Sequence, residues 1–112
     1  MANKVPWKIY RISGNSMCPT IKDGDYVLAS KYKNAPVNGS VAVIEHPLLG
    51  RLIKRINLIR GTGEFVASGD NDLSIESPKI GVLGEHEIKY QARWRISPAG
   101  ISRLRTLDTP PI

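Results

Sequence analysis

Residues 51–68 read RLIKRINLIRGTGEFVAS, a pattern typical of a β-hairpin. The arms 51–60 and 65–68 are rich in Ile, Leu, Phe and Val, most of which favour strands. Between them lies Gly61-Thr62-Gly63, and glycine adopts the positive φ that a tight turn between strands requires. We therefore predict that the two arms pair as antiparallel strands.

Similar apolar runs recur along the chain, separated by turn-forming residues such as Ser13-Gly14, Asp23-Gly24 and His46-Pro47. Proline ends a strand because it has no N–H to donate to the sheet. The predicted strands are Trp7–Ile12, Tyr26–Tyr32, Val41–Glu45, Arg51–Arg60, Phe65–Ser68 and Ile88–Ile96. They favour a mostly β fold, either a compact antiparallel coiled sheet or a partly open barrel.

The length of 112 residues, 41% of them hydrophobic, suffices for one modest core and is too short for two. We predict a single domain over residues 1–98. Residues 99–112 end in Thr109-Pro110-Pro111-Ile112 and are predicted to form a weakly structured tail.

The composition argues against a disulfide, a Cys-based zinc site and a membrane-spanning or exported protein. Cys18 is the only cysteine, so an intramolecular disulfide is impossible and a Cys-based zinc site lacks ligands. The sequence contains no run of about 18 to 20 apolar residues, and Lys4, Lys8 and Arg11 interrupt its first residues. We expect a cytoplasmic protein with no transmembrane segment and no Cys-based metal site.

The net charge of +6 could attract nucleic acid, anionic lipid or an acidic protein. One alternative class is therefore a basic β-barrel that binds single-stranded nucleic acid. Its stacking residues would be Trp94, Tyr90 and Tyr10, and its phosphate contacts would be Arg93, Arg95, Arg103 and Arg105. Aromatic residues make up only 6% of the chain and the sequence has no RNA-binding motif, so we expect no nucleic-acid partner.

Lys54 is the one charged residue in an apolar row of the strand 51–60. Alternation puts Leu52, Lys54, Ile56 and Leu58 on one face, and Ile53, Arg55, Asn57 and Ile59 on the other. Desolvation in such a row favours a neutral amine, which can accept a proton as a general base. The alternative is that the side chain lies along the sheet and its amine reaches water at the edge.

Ser16 follows Gly14 in a predicted turn. Its hydroxyl can project from the bend while its own backbone N–H faces the same cavity. That arrangement suits a nucleophile whose N–H stabilises an oxyanion, although ordinary turn chemistry also places serine at such positions.

Four ordered segments within residues 12–80 carry a family resemblance. They are Ser13-Gly14-Asn15-Ser16-Met17-Cys18-Pro19-Thr20, then Gly24-Asp25-Tyr26-Val27, then Leu52-Ile53-Lys54-Arg55-Ile56, and finally Gly69-Asp70-Asn71 with Ser74, Glu76 and Ser77. Together they resemble type I signal peptidases, a family of serine proteases. The resemblance implies the β fold that signal peptidases share with SOS-repressor protease domains.

The resemblance implies that Ser16 is the nucleophile and that neutral Lys54 is the general base of a Ser-Lys dyad. The Ser16 N–H would donate to the oxyanion, and Ser74 would orient the Lys54 amine. Such a dyad works without a metal or an organic cofactor.

The same resemblance implies that Met17 and Gly14 line the substrate groove, and that Asp70 and Asn71 are structural residues beside the dyad. Many bacterial members carry a serine where this chain has Gly14. A second oxyanion donor would then come from the backbone or be missing.

A narrower resemblance concerns the substrate. Short chains with the arrangement His46-Pro47, Gly50 and Ile53-Lys54-Arg55 resemble proteases associated with maturation of nickel-type superoxide dismutase. It implies an endopeptidase that removes an N-terminal extension from a precursor protein, with the precursor of that dismutase as the expected partner.

Other catalytic arrangements remain open. A self-cleaving repressor of the SOS type is similar in its Ser-Lys dyad, but about a dozen residues before the serine segment are too few for a helix-turn-helix. His46 or His86 could form a triad with Ser16 and an aspartate. Cys18 could be a thiol nucleophile, although a small buried cysteine packing under the turn is the simpler interpretation.

Overall fold

The computed structural model describes residues 7–71 and 77–112. Within those ranges the chain forms eight strands: β1 Lys8–Arg11, β2 Tyr26–Ser30, β3 Val41–His46, β4 Gly50–Ile59, β5 Glu64–Ser68, β6 Val82–Leu83, β7 Ile88–Ser97 and β8 Gly100–Arg103. A single helical turn, α1, spans Ser77–Ile80, and a 3-10 turn spans Glu85–Glu87. Strands hold 46% of the described residues and helix 5%, so the predicted mostly β fold is confirmed.

The described strands form one antiparallel sheet in the order β1-β2-β7-β3-β4-β5-β6, with β8 paired to β7. β2 pairs along one edge of β7, whereas β3 and β8 share its other edge at opposite ends. Register shifts after Leu28 and after Val43 mark bulges, which increase the twist of a sheet. The sheet is not closed into a barrel, so the coiled or open sheet is the correct form of the prediction.

The hairpin predicted from residues 51–68 is confirmed as β4 and β5. β5 pairs with β4 only from Arg55 onward. Gly61 and Gly63 in the turn have φ values of +79° and +72°, a region that glycine adopts without strain.

The two faces of β4 contribute to different hydrophobic clusters, as its alternation predicts. Ile56 is fully buried in the first cluster, with Leu52 and Leu58 packed against it, whereas Ile53 packs against the second. The first cluster comprises Ala42, Ile44, Ile56, Phe65, Ala67, Ile80, Leu83 and Ile88. The second comprises Ile12, Met17, Ile21, Val27, Val41, Ala92 and Leu104. The centre of β4 is covered on both faces, and Lys54 and Arg55 are buried there.

Residues 99–112 are more ordered than the predicted weakly structured tail. Gly100–Arg103 form β8 against β7, so the predicted boundary at residue 98 falls inside the β7–β8 hairpin. Leu104 is buried in the second cluster, and the Leu107 N–H donates to the Gly39 carbonyl at 3.0 Å. Backbone hydrogen bonds and the buried Leu104 hold this stretch against the sheet. Neither contact can be read from its proline-containing sequence.

The short elements between β5 and β7 are not apparent from the sequence pattern. Ile80 of α1 and Leu83 of β6 are buried in the first cluster, so this segment closes that core. No helix in residues 7–71 or 77–112 is long and apolar enough to cross a membrane.

Candidate active site

The turn that carries Ser16 is fixed from its N-terminal side by two side chains. The Gly14 N–H donates to Asp23 Oδ1 at 2.7 Å, and Gly14 has a φ of +85°. Asn15 Oδ1 accepts the Asp23 N–H at 3.0 Å, and the Asn15 carbonyl accepts the Cys18 N–H at 3.1 Å. These bonds hold the backbone on both sides of Ser16.

The Gly69-Asp70-Asn71 segment holds the same turn from its other side. The Asp70 N–H donates to the Ser16 carbonyl at 2.8 Å. Asn71 Nδ2 lies within hydrogen-bond distance of three turn carbonyls, those of Asn15, Ser16 and Cys18, at 2.8, 3.2 and 3.0 Å. Two segments that are far apart in the sequence therefore form one backbone assembly around the serine.

Arg55 anchors Asp70 through a two-pronged ion pair. Arg55 Nε donates to Asp70 Oδ1 at 2.7 Å and Nη2 donates to Oδ2 at 2.6 Å. Thr20 Oγ1 donates to the same Oδ2 at 2.5 Å. Both charged side chains are largely buried, and such a pair is tolerated only when its hydrogen-bonding groups are satisfied, as they are here.

The pKa of Asp70 reflects a competition between burial and pairing. Burial alone raises the pKa of this carboxyl, whereas the hydrogen bonds from Arg55 and Thr20 and the Arg55 charge lower it. The net effect is a pKa below the usual value, so Asp70 is a carboxylate at neutral pH and keeps its ion pair.

Ser16 and Lys54 line one open groove of about 540 Å³. One wall is residues 11–17, which include Ser16, and the other is residues 51–54 of β4, which include Lys54. The structure therefore brings together the two residues that the resemblance assigns to the dyad, although 37 positions separate them in the sequence.

Lys54 is only 5% exposed, and the residue paired with it on the neighbouring strand β3 is the fully buried Ala42. The alternative in which the amine reaches bulk water at the sheet edge does not fit this burial.

The backbone N–H of Ser16 donates no hydrogen bond to any other part of the described chain. It is therefore available to a substrate oxygen, as an oxyanion donor must be. The Gly14 N–H is not available in this way, because it already donates a hydrogen bond to Asp23 Oδ1. Gly14 thus supplies no second backbone donor to the groove.

The chain matches the family model described as Peptidase S24-like over residues 3–94, which is well over half of its 112 residues. The chain belongs to the peptidase S24-like family. The match is consistent with the resemblance to signal-peptidase-like serine proteases, and it includes Ser16, Lys54 and Asp70. Searches of curated proteins and of solved structures gave no significant match.

The remaining predicted site residues of this S24-like chain lie in different settings. Met17 is 2% exposed and packs in the second cluster, although it also borders the groove. Gly14 borders the groove with no atom within 4 Å of the position that a Cβ would take. Ser74 lies outside the described residues.

The parts played by Arg55 and Thr20 in this S24-like site are not apparent from the sequence motifs. A usable signal exists, because Arg55 neighbours Lys54 on a strand covered on both faces, and a buried guanidinium requires an acidic partner. Asp70 of the Gly-Asp-Asn segment is such a partner, but only the tertiary structure pairs them.

The histidines do not form a catalytic triad with Ser16. His46 Nδ1 accepts the N–H groups of Leu48 and Leu49, both at 3.0 Å, so its proton resides on Nε2, which donates to the Ile80 carbonyl at 2.9 Å. Both ring nitrogens are therefore occupied by backbone. His86 is mostly exposed and contacts Glu87.

The alternative nucleic-acid surface loses part of its basis. Arg93 Nε donates to Ser30 Oγ at 2.5 Å, and Arg95 Nε pairs with the buried Asp25 at 2.7 Å. Arg103 lies over the Trp94 ring, 5.6 Å from its centroid. Arg93 and Arg95 therefore already have hydrogen-bonding partners within the fold, whereas Arg103 and Arg105 are exposed.

Proposed function

We propose that this chain is a serine endopeptidase in which Ser16 attacks the scissile carbonyl and Lys54 is the general base. One observation carries the proposal: in a chain of a peptidase family, the buried Lys54 and the turn-borne Ser16 border the same groove. A serine hydroxyl and a general base at one cleft are the two groups that covalent catalysis by a Ser-Lys dyad uses.

The proposed cycle uses only groups of this chain. Neutral Lys54 Nζ takes the Ser16 proton as Oγ bonds to the carbonyl carbon, and the Ser16 N–H donates to the resulting oxyanion. The Lys54 ammonium then protonates the leaving amine as the peptide bond breaks, and the acyl-enzyme forms. Lys54 next removes a proton from water as the water oxygen attacks the ester carbon, and it returns that proton to Ser16 Oγ as the ester bond breaks, which regenerates neutral Lys54 and the serine hydroxyl. The family resemblance alone supports the proposal that Ser74 orients Lys54.

The groove suits an extended peptide. β3 pairs with one edge of β4, and β5 occupies the other edge only from Arg55 onward, so none of the described strands covers that edge at residues 51–54. This edge forms a wall of the groove. A substrate strand can add its backbone hydrogen bonds there and present its scissile carbonyl to Ser16.

We further propose that the substrate is a precursor protein from which an N-terminal extension is removed in the cytoplasm. The precursor of a nickel-type superoxide dismutase is the first candidate. The resemblance carried by His46-Pro47, Gly50 and Ile53-Lys54-Arg55 supports this choice.

The test is to incubate the purified chain with that precursor and to read any new N-terminus by mass spectrometry. Ser16→Ala and Lys54→Met should each lower the rate by roughly ten-thousandfold, because members of a catalytic unit fail together. Ser13→Ala is the matched control, since Ser13 borders the same groove without an assigned role. Full activity of Lys54→Met would refute the dyad, whereas an uncut precursor would refute only the substrate.

Self-cleavage of the SOS-repressor kind is the second candidate, because the peptidase S24-like match is compatible with it. In that case the chain would cut itself, at a rate independent of its concentration, and Ser16→Ala would stay intact. Incubation without any substrate separates the two candidates.

A further inference from the structure

Residues 104–112, which we call the strap, run back across the sheet after β8. The Leu104 N–H donates to the Arg93 carbonyl at 2.8 Å, and the Leu107 N–H donates to the Gly39 carbonyl at 3.0 Å. At the far end, Ile112 exchanges backbone hydrogen bonds with Leu58 and Arg60, both at 2.8 Å. The strap lies outside residues 3–94, the range of the family match.

Gly39, in the turn before β3, is in close contact with the strap. Its N–H donates to the Ile56 carbonyl at 2.8 Å, and its carbonyl accepts both the Leu107 N–H and Arg55 Nη1, at 3.0 and 2.8 Å. A Cβ on Gly39 would overlap the Leu107 carbonyl oxygen. Glycine at position 39 therefore permits this close approach.

Arg55 joins the strap to the serine turn. Its Nη1 donates to the Gly39 carbonyl and, at 3.1 Å, to the Arg105 carbonyl of the strap. Its Nε and Nη2 hold Asp70, whose N–H holds the Ser16 carbonyl. One guanidinium thus touches both the strap and the support of the nucleophile.

A polar cavity of about 470 Å³ lies between the strap and the Gly-Asp-Asn segment. Leu107 and Thr109 border it on the strap side, and Asp70 and Asn71 border it on the other, with Arg55 also in its lining. The cavity separates the strap from the Gly-Asp-Asn segment, and Arg55 spans it with hydrogen bonds to Arg105 on one side and to Asp70 on the other.

We propose that the strap is a positioning element for the Ser16 turn and that Arg55 is the positioning residue that connects them. The strap carbonyl of Arg105 and the strap-bound carbonyl of Gly39 fix Nη1, which sets the plane of the guanidinium. The orientation of the guanidinium fixes the position of the Asp70 carboxylate, and the Asp70 N–H in turn fixes the Ser16 carbonyl. The catalytic part of this inference rests on the proposed peptidase function, whereas the mechanical part does not.

The test is Gly39→Ala in the full chain, which pushes the strap away without altering a side chain of the site. Gly61→Ala is the matched control, because Gly61 has nearly the same φ, +79° against +83°, and open space around its Cβ position. We expect Gly39→Ala to speed hydrogen exchange of the Asp70 amide by about tenfold or more, relative to Gly61→Ala. On the cleaved substrate, kcat should fall about tenfold to a hundredfold with little change in KM.

A milder variant covers the case in which Gly39→Ala fails to fold. Asn38 Nδ2 donates to the Thr109 carbonyl of the strap at 2.5 Å, while Oδ1 accepts the Leu58 N–H at 2.8 Å. Asn38→Asp keeps the acceptor and removes the donor to the strap. It should shift both measurements in the same direction by a smaller factor.

A double variant tests the route through Arg55. Lysine has a single ammonium and cannot bridge Gly39, Arg105 and Asp70 as the guanidinium fork does. If the strap acts through Arg55, adding Gly39→Ala to Arg55→Lys should lower kcat by less than about twofold further, because coupled sites are not additive.

The outcomes separate this inference from the proposed function. Equal Asp70 exchange in Gly39→Ala and Gly61→Ala overturns the inference, as do additive effects in the double variant. An inactive wild-type chain overturns the peptidase proposal, and the exchange measurement then still decides whether the strap holds the turn.

Discussion

Tyr32 illustrates how one side chain couples burial to hydrogen bonding. Its hydroxyl lies 2.7 Å from Ser40 Oγ, and Ser40 donates its own proton to the Val37 carbonyl at 2.6 Å, so Tyr32 is the donor. Burial raises the pKa of Tyr32 to about 12, although the positive charge of Arg93 opposes the rise. The folded state therefore holds the Tyr32 proton where an unfolded chain has lost it.

A raised folded pKa contributes stability that is complete below the unfolded pKa of about 10 and is lost as pH rises toward 12. We expect an ultraviolet titration of the phenolates to show one tyrosine ionising near pH 12. Tyr32→Phe should abolish that step. Persistence of the step in Tyr32→Phe would mean that another tyrosine is responsible.

The β3–β4 hairpin shows how an element is held at its tip. His46 ends β3 and binds the backbone of Leu48 and Leu49 with Nδ1, while Nε2 reaches the carbonyl of Ile80 in α1. One buried ring therefore closes the hairpin and ties it to α1. The hairpin in turn supplies the wall of the groove that carries Lys54.

His46→Ala should lower the free energy of unfolding by about 1 to 3 kcal/mol, because the buried Ile80 carbonyl would lose its donor. His86→Ala is the control: the His86 side chain is 84% exposed, and its loss should change stability by less than about 0.5 kcal/mol. Urea unfolding measures both. Equal effects of the two substitutions would contradict the structural role of His46.

At the scale of the whole molecule, the Arg55–Asp70 pair joins segments that are distant in the sequence. It connects β4, the serine turn through Thr20, and the strap through Arg105. Because the pKa of Asp70 is lowered in the folded state, the carboxylate contributes stability above its unfolded pKa, which is about 4. That contribution is lost as pH falls through the folded pKa.

Asp70→Asn should therefore be less stable than the wild type at neutral pH, and the difference should shrink as pH falls below about 4. Urea unfolding between neutral pH and pH 3 measures it. Asp108→Asn, at an exposed position, is the control and should follow the wild type at every pH. A difference that stays constant with pH would show that Asp70 stabilises the fold without its charge.

Local patterns in the sequence determined the β class, most strands, the β4–β5 hairpin and the separate burial of Ile53 and Ile56. Alternation, glycine turns and proline breaks act over a few residues, so they can be read from neighbours alone. The sequence motifs also single out Ser16 and Lys54.

Only the tertiary structure decided which distant residues meet. It placed Ser16 and Lys54 at one groove, paired Arg55 with Asp70, and ordered residues 99–112, which the sequence predicts to be weakly structured. The physical reason is that hydrogen bonds and ion pairs between distant segments depend on sheet register and on close backbone approach, as at Gly39. Neither leaves a periodic pattern in the sequence.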